Sequence, residues 1–190
     1  MSTWDGEEYQ ERFDALAARG VEVHGEVDFL VGLEQLGRVS GSVLDAGCGT
    51  GRVARELATR GVAVVGVDVD PSMVDAARRR SPDLEWHVAD LADLELGRRF
   101  DVVVMAGNVP LFTAPGTHAA VVAGCARHVA AGGALVSGFQ LGRGYELDAY
   151  DAHCDAVGLT LLERFATWDR DPFPGDGSYA VSVHGAHASD

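Results

Sequence analysis

The sequence predicts an open α/β sheet, doubly wound, with helices on both faces. Three observations carry that prediction. Short apolar runs alternate with helical stretches along most of the chain. A glycine-rich turn joins the first apolar run to the helix after it, as in sheets that bind ligands at the carboxyl ends of their strands. The last two strand-like runs have no helix between them, so they should form an antiparallel hairpin.

Each element has its own warrant. Residues 11–20 read as an N-terminal helix closed by Gly20, and "GEVDFLVGLEQLG" as a second helix. "SVLDAG" is short and apolar, as a buried parallel strand should be. Arg52 to Arg60 continue as a helix stopped by Gly61. "VAVVGVD" is the second strand. Asp70 is placed to cap the next helix, with Pro71 at its first position and Arg80 near its end. "LEWHVAD" and "FDVVVMAG" are the third and fourth strands. A helix from Thr117 to about Ala131 ends at two glycines, and "ALVSGFQ" is the fifth strand. Leu147 to Val157 form a helix stopped by Gly158. "TLLERFATWD" and "YAVSVHG" form the closing pair.

Composition narrows the function classes. The chain has 190 residues, 47% hydrophobic and 23% charged, which fits a single domain. Its N-terminus is acidic and polar, unlike a secretory signal, and no apolar run approaches the ~20 residues of a membrane helix. The cysteines, Cys48, Cys125 and Cys154, are far apart with no paired spacing. That suggests reduced thiols and a cytoplasmic protein. The seven histidines are scattered, so no metal is expected. With a net charge of −14, the surface should repel phosphate backbones, which disfavours nucleic acid as a partner. The basic run Arg78 to Arg80 suits the negative end of a helix instead.

The most informative stretch is "VLDAGCGTGR", residues 43–52. Gly47, Gly49 and Gly51 alternate directly after an apolar strand ending in Asp45. Bare glycines let a backbone approach a ligand, and the start of a helix offers amides to a negative group. A dinucleotide fingerprint would need its third glycine at position 52, where Arg52 stands. Asp45 beside the turn would also oppose a pyrophosphate. An amino-acid ligand fits better, its ammonium toward the acid and its carboxylate toward the turn amides.

These residues resemble the class I S-adenosylmethionine-dependent methyltransferases. "VLDAGCGTGR" is similar to their first motif, and "VVGVDVDPSMVDAAR" to the strand and helix that follow. "WHVADLADL", "FDVVVMAGN" and "VAAGGALVSGF" fall at the corresponding third-strand, fourth-strand and helix-to-fifth-strand positions. The resemblance covers roughly residues 40–185. It implies a Rossmann-like sheet of seven strands with one antiparallel strand in the C-terminal hairpin. Residues 1–38 would supply N-terminal helices and a lid.

The resemblance also implies site residues. Asp45, Gly47 and Gly49 would line the methionine moiety, with Gly51 admitting the helix start. Asp68 would accept both ribose hydroxyls. Val69 and Met73 would flank the adenine, and Asp90 and Leu91 would meet its amino edge. In the lid, Tyr9, Arg12 and Phe13 share a helical face, and Arg12 would pair with the cofactor's carboxylate.

The implied activity is methyl transfer from S-adenosylmethionine to a small-molecule acceptor. Proximity and orientation alone can lower such a barrier by ~7–11 kcal/mol, so no fixed catalytic constellation is required. Asn108, after the fourth strand, is the candidate catalytic residue. The run "NVPLF" departs from the Asn-Pro-Pro-aromatic motif of some amine methylases in this family, lacking its first proline. His24 and His118 are candidate bases, and Arg143 a candidate anion contact. Three other readings stand beside this one: a non-catalytic S-adenosylmethionine-binding protein, a methyltransferase of a protein or RNA, and a nicotinamide oxidoreductase.

Overall fold

The computed structural model describes residues 25–35 and 41–186. The apolar runs form seven strands: β1 (Ser42–Ala46), β2 (Ala63–Asp68), β3 (Glu85–Val88), β4 (Phe100–Met105), β5 (Val129–Gln140), β6 (Leu159–Phe165) and β7 (Tyr179–Ala186). They build one sheet in the order β3-β2-β1-β4-β5-β7-β6. The pairs from β3 through β5 are parallel, whereas β7 runs antiparallel to both β5 and β6. The expected C-terminal hairpin is therefore present, with its second strand inserted beside β5.

The described helices are α1 (Gly25–Gln35), α2 (Arg52–Thr59), α3 (Pro71–Arg80), α4 (Val109–Phe112), α5 (His118–Arg127) and α6 (Leu147–Asp155). Because strand side chains alternate between faces, the sheet buries two separate apolar layers. Val43, Val102 and Val104 pack with α1, α2 and α3 on one face. Leu44, Val103 and Met105 pack with α5 and α6 on the other. The capping of α3 is as expected: Pro71 opens it, and the Asp70 side chain accepts the Ser72 amide. Across the first layer, Arg52 forms a two-pronged ion pair with Glu26, tying α2 to α1.

Several boundaries differ from the sequence expectation. The helix predicted to reach Ala131 ends at Arg127, and Val129–Gly133 belong to β5. The reason is non-local: Val129 pairs with Phe100 before the ladder slips and resumes at Val102 with Ala134. The hairpin's first strand stops at Phe165 rather than Asp169, because residues 166–171 fold into a tight turn closed by Ala166 and Asp171. The helix after β5 ends at Asp155, two residues before the expected Val157. All three cysteines are buried free thiols. Among the described residues, no helix is long and apolar enough to cross a membrane.

Candidate cofactor and active site

Strand order reverses between β1 and β4, since β1 lies between β2 and β4. That is the switch point at which open α/β sheets bind ligands. The 47–51 turn sits there, and its three glycines meet three different surroundings. A methyl group on Gly47 would lie 2.6 Å from a γ-carbon of Val109, so the β4 exit loop closes that side. At Gly51 (φ +79) it would lie 2.4 Å from the Trp86 ring, with Ala77 close behind. Gly49 (φ +53) alone has nothing within 4 Å on its open side. Of the three α-carbons, only that of Gly49 faces free space.

The turn amides are mostly spent inside the protein. The Gly47 and Cys48 amides both donate to the Val67 carbonyl, and the Gly51 amide donates to the Cys48 carbonyl. The Gly49 amide donates to Oδ2 of Asp68 at 2.8 Å. The expected amide cradle for a carboxylate is therefore not what these four groups offer. They lock the turn onto the end of β2 instead.

Asp68 stands beside the open face. Its Oδ1 accepts the Asp70 amide at 2.9 Å, so each carboxylate oxygen holds one backbone N–H and keeps acceptor capacity. Burial raises its pKa, and the Asp70 and Gly49 amides work against that rise.

Asp45 is placed differently from the expected lining role. It is 1% exposed on the α2 face, and its Oδ2 accepts the Ala54 amide at 3.1 Å in the first turn of α2. Burial pushes its carboxyl up to about 7, opposed by the Ala54 hydrogen bond and by Arg52. Its geometry fixes α2 to β1, below the rim where Gly49 opens.

The remaining expected residues divide by exposure. Val69 is 63% exposed at the rim, immediately after β2. Met73 is buried on α3, and Leu91 is buried in the second apolar layer. The Leu91 carbonyl is packed tightly against Gly124, so neither its side chain nor its carbonyl is presented at the rim. Asp90 is exposed and its Oδ1 accepts the Ala92 amide at 2.9 Å, capping the short turn Leu91–Asp93. Asn108, partly exposed, follows β4, and its side-chain carbonyl accepts the Gln140 amide at 2.8 Å. The His118 ring stacks on Tyr145 with centroids 4.1 Å apart. Arg143 is exposed and its guanidinium donates to Oε1 of Gln140 at 3.5 Å. Tyr9, Arg12, Phe13 and His24 lie outside the described residues.

Sequence reasoning missed two residues that shape this site. Trp86 fills the space over both Gly51 and Gly66, and its indole N–H donates to the Ser81 carbonyl at 2.9 Å. Val109 forms the wall over Gly47. Glycines at 51 and 66 were the available signal, since both leave room that the Trp86 ring fills.

A family model described as "Methyltransferase domain" matches residues 43–133. Among solved structures, a TehB-like SAM-dependent methyltransferase from Corynebacterium glutamicum is 34% identical, with a TM-score of 0.85. That likeness covers 94% of this chain and 96% of the other. The magnesium-protoporphyrin O-methyltransferase of Rhodobacter capsulatus is 45% identical over 78 residues, 38% of this chain and 34% of that protein. A dTDP-3-amino-3,6-dideoxy-alpha-D-glucopyranose N,N-dimethyltransferase of Streptomyces fradiae is 38% identical over 86 residues, 45% of this chain and 34% of that protein. The match thus spans about a third of the length of these two curated relatives. With the sheet order, the glycine turn at the switch point and a near full-length relative in agreement, the chain belongs to the S-adenosylmethionine-dependent methyltransferases.

Proposed function

We propose that this chain transfers the methyl group of S-adenosylmethionine to a small-molecule acceptor. One observation carries the reading: the open α-carbon face of Gly49 lies one hydrogen bond from the Asp68 carboxylate, at the switch point of the sheet. An open sheet rim with a bare backbone and a two-oxygen acceptor suits a nucleoside carrying an amino-acid chain.

The bound cofactor supplies a methyl group already activated on a sulfonium. The protein's own residues then bind, orient and exclude water. Each Asp68 oxygen would accept one ribose hydroxyl beside the backbone N–H it already holds. Gly49 would let the methionine chain lie against the turn, with Gly47 and Gly51 keeping the turn closed to Val109 and Trp86. Val69 would cover the adenine from the rim, above the buried Met73. Asp90 would meet the adenine's amino edge, with Leu91 packed beneath it. Asp45 would act through α2, whose first turn it holds. With the Gly47, Cys48, Gly49 and Gly51 amides engaged, a cation would serve the cofactor's carboxylate, and Arg12, together with Tyr9, would supply that contact. A small acceptor is supported by the names of two curated relatives, which denote a magnesium-porphyrin and a nucleotide-linked amino sugar.

Isothermal titration against S-adenosylmethionine, S-adenosylhomocysteine and NAD tests the reading. Both adenosyl ligands should bind, and NAD should bind more weakly. Asp68→Ala should weaken S-adenosylmethionine binding at least about tenfold, or ~1.4 kcal/mol, in protein that still melts cooperatively. Tighter binding of NAD, or unchanged affinity in a folded Asp68→Ala protein, would overturn it.

A further inference from the structure

Asn108 has an unusual position in the backbone. It follows the end of β4 with φ 67, a left-handed conformation that asparagine tolerates better than most residues. The last regular pair between β4 and β5 is Met105 with Ser137. Beyond it, the Asn108 amide donates to the Gly138 carbonyl at 3.2 Å, while its side-chain Oδ1 accepts the Gln140 amide at 2.8 Å. Gly138 and Gln140 flank Phe139, so Asn108 holds a parallel-ladder position with its side-chain carbonyl replacing the main-chain one. The main-chain carbonyl is thereby released and accepts the Leu111 amide at 2.8 Å, which opens α4. Turning the chain this way sets Val109 against the α-carbon of Gly47.

We propose that Asn108 is a positioning residue: through Val109 it holds the β4 exit loop against the cofactor turn. The inference rests on reading the 47–49 turn as the S-adenosylmethionine site. An aspartate here keeps an acceptor oxygen for the Gln140 amide. A glycine accepts φ 67 without strain but loses the acceptor.

The test is titration with S-adenosylhomocysteine, with wild-type protein as the first arm. No binding to wild type would sink the cofactor reading itself, and the inference with it. With wild type binding, Asn108→Gly should weaken affinity about fivefold, the scale of one lost hydrogen bond, while Asn108→Asp should stay within about twofold. Val109→Ala should weaken affinity by a similar factor. Because Asn108 acts through Val109, the double variant should bind no worse than the weaker single variant. A purely structural asparagine would lower the melting temperature and leave affinity unchanged, which overturns the proposal. Equal losses in Asn108→Asp and Asn108→Gly overturn the acceptor role, and additive losses overturn the link to Val109. If Asn108→Gly does not fold, Val109→Ala and Asn108→Asp decide: unchanged affinity in the first, or a large loss in the second, overturns the proposal.

Discussion

The buried carboxyl of Asp45 should make the empty protein less stable as pH rises. Its pKa stands at about 7, against 3.8 for the free side chain, with burial as the leading cause. The folded state therefore binds a proton that the unfolded chain has released between those values. The stabilising contribution of that proton is complete below pH 3.8 and is lost as pH rises to about 7. One unit of pKa shift is about 1.4 kcal/mol, so raising pH from 5 to 8 should remove roughly 3 kcal/mol through this residue alone. For a chain of this length that is roughly 6–12 °C in melting temperature. Asp68 is shifted in the same direction, so the wild-type profile alone does not isolate Asp45. Asp45→Asn does: its carbonyl can still accept the Ala54 amide, and it has no proton to lose. Its buried amide nitrogen brings a cost of about 1–3 kcal/mol, but one independent of pH. The assay is urea denaturation of ligand-free wild type and variant at pH 5, 6, 7 and 8. The stability difference should move in favour of the variant by roughly 3 kcal/mol across that series. Parallel profiles would show that Asp45 is ionised throughout and that burial does not govern it.

Two further perturbations probe the turn and its support. Gly51→Ala should destabilise by roughly 3 kcal/mol or more, combining a left-handed alanine with overlap against Trp86, whereas Gly49→Ala should cost only about 1 kcal/mol in stability yet weaken S-adenosylhomocysteine binding. Thermal melts with titration separate the two, and equal melting temperatures would refute the assignment of Gly51 to Trp86. His128 is 1% exposed, accepts the Leu96 amide through Nε2 and bonds the Gly124 carbonyl through Nδ1. His128→Leu leaves both groups unpaired and should cost about 2–4 kcal/mol in urea denaturation, and a loss below about 1 kcal/mol would mean that water replaces the ring.

Local signals made most of the sheet legible. The alternation of apolar runs and helices located every strand, and Asp70 followed by Pro71 placed the start of α3 to the residue. The misread segment, residues 128–133, carries helix-compatible alanines, yet Val129 is drawn into the ladder by Phe100. Pairing across 29 positions leaves no trace in a local window. The turn at 166–171 was missed for a similar reason. It is closed by the Ala166 and Asp171 backbones and by Arg170 at φ 65, whereas the apolar run "FATW" continues the strand pattern.

At the 47–51 turn, the glycine spacing does not reveal how the three positions differ. Spacing makes Gly47, Gly49 and Gly51 equivalent, and only packing tells them apart. Gly51 lacks a side chain because Trp86, 35 positions later, occupies that volume; Gly47 lacks one because Val109 does. Neither constraint refers to a ligand, and either would hold in an empty protein. Gly49 is the converse case, since nothing in the protein forbids a side chain there except its backbone angle. Its open side is where the reading proposed above places the methionine chain. The same reasoning separates the two aspartates. Asp45 spends its carboxylate on α2 in the interior, whereas Asp68 holds one amide on each oxygen at the rim and retains lone pairs for two more donors. On the reading proposed above, ligand contact at this turn falls on Gly49 and Asp68, and the residues around them fix where those two stand.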